Sequence, residues 1–199
     1  MFIENIIQEE LTKQYDNNKE WLSSPYKDIL TLTIDARGKV GERICSTACH
    51  SCPNIIIEED ISDENVKKNN AHYDIKINGI FLEVKTAYRG KNNGWQHETI
   101  YKNTQCCDAV LFIDFDYHGI HFSLFKTSDL PLGIDSQFFP GKHGTLRKNK
   151  DDGYKLDFSN RTIANFKDSH YLYLSENEVT PKKIGEFIEK ELFNYVIHD

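Results

Sequence analysis

"HYDIKINGIFLEVKTA", residues 72–87, decides how the middle of this chain folds. Asn78-Gly79 lies between two apolar-rich runs and suits a two-residue turn, so the stretch predicts a β-hairpin. Ile77 then faces Ile80, Lys76 faces Phe81, Ile75 faces Leu82 and Asp74 faces Glu83. Ile75, Ile77, Ile80, Leu82 and Val84 point one way, and this apolar face sets the register. The other face collects Asp74, Lys76, Phe81, Glu83 and Lys85. Side chains directly opposite stand roughly 5 Å apart at Cβ, and like charges there are destabilising. Two readings are open. A shared hard cation would cancel the repulsion between Asp74 and Glu83, with Lys85 beside it to hold a water or offset charge on a phosphate. Alternatively, the charges form ordinary cross-strand ion pairs on a solvated strand.

Working outward, the chain predicts a mixed sheet flanked by helices, an α/β (α+β) class. Residues 3–17 carry Ile3, Ile6, Ile7 and Leu11 on one side and predict a helix. Ser24-Pro25 suits an N-cap followed by proline at the first helical position, with a second helix running toward Thr33. Residues 35–52 predict a third, ended by Pro53. Residues 54–60 are β-rich and 61–70 polar. Beyond the hairpin, 97–108 has helical character, 109–117 is a buried strand, and 119–127 pairs back on it. A second hairpin is expected over 144–159, a strand over 169–175, and a helix over 181–196 with Ile184, Phe187, Ile188, Leu192 and Tyr195 on one face.

The 199 residues suffice for one domain with a real core, here 1–199, with a core at about 35–127 and a C-terminal extension at 128–199. No apolar run approaches a membrane span, and the acidic, amphipathic N-terminus lacks signal-peptide marks. An intracellular, cytoplasmic chain without membrane partners is expected. The five cysteines agree, being odd in number and without a secreted framework. Cys45, Cys49 and Cys52 could suggest an iron–sulfur or zinc site, but on a helix they share one face at core spacing. Asp114 and Asp116 are expected as polar residues at the mouth of a buried strand, and His72, His97 and His118 as surface or structural histidines.

Asp74 followed by Glu83-Val84-Lys85 resembles the PD-(D/E)XK nuclease superfamily, whose signature is an acid followed on the next strand by acid-x-lysine. The order helix, three strands, helix, strand is similar to its core, and residues 86–116 resemble type II restriction-endonuclease-like members. The resemblance covers about half the chain; Tyr73 stands where many members have proline. It implies a restriction-endonuclease-like fold and hydrolysis of double-stranded DNA that leaves a 5′-phosphate. Asp74 and Glu83, with the Val84 carbonyl, would hold Mg2+, for which Mn2+ may substitute. Lys85 would position the attacking water, Glu42 would act through water or steer Lys85, and Gln96, at the start of the second core helix, would support the site or the phosphate.

The net charge of −7 excludes a uniformly basic nucleic-acid binder but not a local patch. Candidate backbone contacts are Arg89, Lys91, Lys102, Lys142, His143, Arg147, Lys148 and Lys150, and the ribbon around 144–158 would fit a major groove. A palindromic target would call for a homodimer, with the helices at 3–17 and 181–196 as its elements. Rival readings are a phage or repair nuclease of the same fold, a non-enzymatic DNA-binding module, and a metal-cluster protein.

Overall fold

The structure, a computed structural model, describes residues 19–60, 73–91, 93–101, 107–130, 147–148, 153–159 and 170–196, with Ile3, Asn5, Ile6 and Glu9. Those four N-terminal residues are helical; the rest of the helix expected over 3–17 lies outside the described residues.

The hairpin forms in the expected register. Strand β2, Ile75–Ile77, pairs antiparallel with β3, Ile80–Tyr88, and Ile75, Lys76 and Ile77 face Leu82, Phe81 and Ile80. Asn78 and Gly79 both take positive φ, 49° and 82°, as the tight turn requires. The turn is stitched to the preceding segment: the Ile56 N–H donates to Asn78 Oδ1 at 2.8 Å, and the Gly79 N–H to Glu58 Oε1 at 2.5 Å. That segment continues into β1, Ile57–Asp60, which pairs antiparallel with β2.

The central sheet has six strands in the order β1-β2-β3-β5-β6-β9, where β5 is Ala109–Asp116, β6 Gly119–Lys126 and β9 Tyr171–Ser175. Only the β3–β5 pairing is parallel, so the sheet is mixed. Helices α1, Ile34–His50, and α2, Pro181–Val196, pack on one face. On α1, Cys45, Ala48 and Cys49 turn inward, and Cys52 joins them just past its end. The thiols are core residues, as their helical spacing predicts. The Cys45 hydrogen bond with Cys49, together with burial, holds the Cys45 thiol well above its ordinary range.

Two expected helices are corrected. Residues 27–31 form only a 3-10 turn. Thr33 is recruited as the N-cap of α1, accepting from the Ala36 N–H at 3.2 Å, and this holds Leu32 and Thr33 extended. The helix expected over 97–108 is, up to Tyr101, the strand β4, Gly94–Tyr101. It belongs to a three-stranded sheet, β4-β8-β7, with β7 Arg147–Lys148 and β8 Gly153–Ser159. This sheet covers the other face of the central one, where Trp95, Ile100, Leu156 and Phe158 pack on Val110 and Phe112. The pairing of β7 with β8 is the second hairpin; its turn lies outside the described residues. Thus helices cover one face and a small sheet the other. Among the described residues no helix is long and apolar enough to cross a membrane.

Candidate functional site

Strand β2 stops at Ile75, while β3 runs on to Tyr88. From Glu83 onward β3 pairs with β5 only, and its other edge is open. Asp74 occupies the start of that edge: its Oδ2 accepts the Val84 N–H at 2.7 Å. The hydrogen bond pins the carboxylate beside the backbone between Glu83 and Lys85.

Glu83 and Lys85 share a face of β3, turned away from the core side taken by Leu82 and Val84. Lys85 Nζ lies 2.5 Å from Glu83 Oε1, and both side chains are 19% exposed. Burial pushes the Glu83 carboxyl up and Lys85 pulls it back; Asp74 and then Glu42 push it up again, to about 7. Glu42 comes from α1, which crosses this part of β3 with Gly41 against Thr86 and Val84. Groups from α1, from β3 and from the residue just before β2 therefore act on Glu83 here.

They line a cleft of about 1110 Å³ between the N-terminal half of α1, the β3 edge and the three-stranded sheet. Asp74, Glu83, Val84, Lys85, Glu42, Gln96 and Lys91 all border it. Gln96 reaches the cleft from β4 rather than from a helix, with its Oε1 accepting from Lys155 Nζ at 3.2 Å. Of the other charged hairpin residues, Lys76 pairs with Glu58 on β1 at 2.7 Å. The ion-pair reading thus describes Lys76 with Glu58 and also Lys85 with Glu83, while Asp74 still adds its charge beside Glu83.

Arg89 is engaged elsewhere. Its Nη1 donates to Asp116 Oδ1 at 2.9 Å, and its guanidinium lies over Tyr117 and Trp95. Arg147 and Lys148 belong to β7; Lys102, Lys142, His143 and Lys150 lie outside the described residues.

His97 is a cleft residue that the histidine spacing did not single out. It is 2% exposed, and its Nε2 lies 2.8 Å from Oδ1 of Asp114, itself 1% exposed. Neither atom meets hydrogen-bond geometry, so this is a close polar contact rather than a formed hydrogen bond. The pair joins β4 to β5 beneath the cleft. Only the alternation of β4, with Trp95 and His97 on one side, could have revealed it.

The donors suit a hard cation. Two carboxylates and a backbone carbonyl could supply oxygen ligands, and a carboxyl raised to about 7 by burial, with Asp74 and Glu42 adding to it, gains from a positive partner. Among the described residues no three His, Cys, Asp or Glu side chains already form a ligand set. Magnesium, which keeps several of its own waters and takes one or two carboxylates, is the hard ion that asks least of such a site. No protein-family model, curated protein or solved structure matches the chain.

Proposed function

We propose that this chain is a magnesium-dependent endonuclease that hydrolyses phosphodiester bonds in double-stranded DNA, of the type II restriction-enzyme kind, with a restriction-endonuclease-like core. The observation that carries the reading is the meeting of Asp74, Glu83, Lys85 and Glu42 in one cleft, with Glu83 held at about 7. Asp74 and Glu83, with the Val84 carbonyl, would hold the metal. Magnesium held there would supply Lewis-acid polarisation of the phosphate. Lys85 would orient the attacking water and offset the developing charge on the phosphate. Glu42 sets the charge around Glu83 and Lys85. The parallel β3–β5 pair beside an antiparallel hairpin supports the core topology. The expected crossover helix is replaced, as far as Tyr101, by β4. A palindromic target would be matched by a homodimer.

The test is cleavage of unmethylated plasmid and phage DNA in magnesium or in EDTA, beside Lys85→Ala. Discrete magnesium-dependent fragments are expected, with the variant slower by about 10² to 10³-fold, the usual loss for one transition-state donor. A smear would point to a nonspecific nuclease of the same chemistry. No cleavage of any DNA form would overturn the reading.

A further inference from the structure

We propose that the outward face of the three-stranded sheet reads base edges in the DNA major groove, with Gln96, Lys155 and Asp157 as specificity-determining residues. This rests on the duplex-endonuclease reading. On β4 and β8 the side chains alternate. Trp95, His97, Leu156 and Phe158 turn into the core, and Gln96, Glu98, Lys155 and Asp157 turn outward. Gln96 and Asp157 are directly opposed, and Lys155 reaches Gln96 Oε1 at 3.2 Å and Glu98 Oε1 at 3.1 Å. Gln96, Glu98 and Asp157 border the same cleft as Glu83 and Lys85. A duplex with a phosphate at Lys85 would therefore lie against this face.

Charge decides what the face can touch. Its described side chains set two carboxylates, Glu98 and Asp157, against one lysine, so they offer a phosphate backbone little attraction. The same groups match base edges: glutamine to adenine, lysine to guanine, and a carboxylate to the cytosine amino group. Asp157 is half-buried, with Oδ1 shielded from solvent and accepting no hydrogen bond, so a base-edge donor would have to be met by its exposed part or by a turn of the carboxylate. A β-ribbon fits the wide major groove of B-DNA, whereas the deep, narrow groove of duplex RNA shuts it out.

The experiment selects binders from a randomised duplex DNA pool with the full chain carrying Lys85→Ala, in magnesium. Selection is repeated after adding Lys155→Ala or Asp157→Asn, once melting curves show each variant folded. A consensus is expected that loses about ten- to a hundred-fold discrimination at one or two positions in each variant, with an unchanged salt slope. The proposal falls if no sequence is enriched, if both variants keep the full consensus, or if duplex RNA binds as well as DNA. It also falls if Lys155→Ala weakens all sequences equally with a shallower salt slope, the mark of a phosphate contact. Wild-type cleavage is read separately. A consensus that shifts without any cleavage sinks the endonuclease reading and keeps this one, and cleavage with an unshifted consensus does the reverse.

Discussion

Glu83 has an ordinary carboxyl value of 4.5 and is pushed to about 7 in the folded cleft. Between these values the folded chain keeps a proton that the unfolded chain has released. The stability contributed by this group is therefore complete below about 4.5 and is lost as pH rises through about 7. Metal-free protein should melt progressively lower across that window, and Glu83→Gln should remove this component from a series of thermal melts. Metal binding needs the ionised form, so cleavage at subsaturating magnesium should climb through about pH 7 and then level. A rate flat across that range would exclude Glu83 as a ligand. Asp74 and Glu83 were legible as neighbours because a two-residue turn brings them together over a few residues, although the strand pairing itself ends at Ile75 with Leu82 and Asp74 binds the Val84 N–H beyond it. His97 with Asp114, and Arg89 with Asp116, were not. Each pair joins residues far apart in the chain, and no local period announces it.

Helix α1 and strand β3 meet with almost no space between them. A Cβ at Gly41 would collide with Thr86 Oγ1 and stand 3.1 Å from Thr86 Cβ. Gly41→Ala should destabilise the fold by about 1 to 3 kcal/mol, as overpacking does, and should displace Glu42 relative to Lys85. Urea unfolding would measure the first and cleavage the second. Adding Thr86→Ala removes the oxygen and should recover part of both, a non-additivity expected of touching residues. A simple sum of the two single losses would show that the helix does not rest on this contact. The elements themselves were legible where their period was clean, as in α1, β5, β6 and α2. Strand β4 was not. Its register shifts between His97 and Ile100, so two buried residues fall three apart and imitate a helix. The turn before α1 stays a 3-10 turn because Thr33 serves the next helix rather than the last.

Across the whole molecule, Arg89 and Asp116 tie the parts together. Asp116 receives Arg89, faces His121 Nε2 at 3.2 Å, and accepts the Tyr117 N–H; His121 Nδ1 in turn lies 2.6 Å from the Tyr171 hydroxyl on β9. The Trp21 indole N–H donates to the Arg89 carbonyl. Burial raises the Asp116 carboxyl, but the His121 and Arg89 contacts outweigh it and bring the value to about 2 from an ordinary 3.8. This stability is present above about 3.8 and disappears as pH falls toward 2. Arg89→Ala should cost about 1 to 3 kcal/mol at neutral pH, as losing a charge-assisted hydrogen bond in a half-buried pair does, while leaving the salt slope of DNA binding unchanged. A shallower slope with intact stability would instead make Arg89 a phosphate contact. The hairpin turn bears on how the protein ages. In an Asn-Gly pair the glycine nitrogen can attack the asparagine side chain and expel ammonia to give a cyclic imide, which water then opens to aspartate or its backbone-shifted isomer. Here the Gly79 nitrogen is committed to Glu58, and the Asn78 amide to Ile56 and Asn54. The damage must then pass through molecules whose turn has opened. The shelf life of Asn78 becomes a slow chemical clock that counts how often this end of the sheet comes apart.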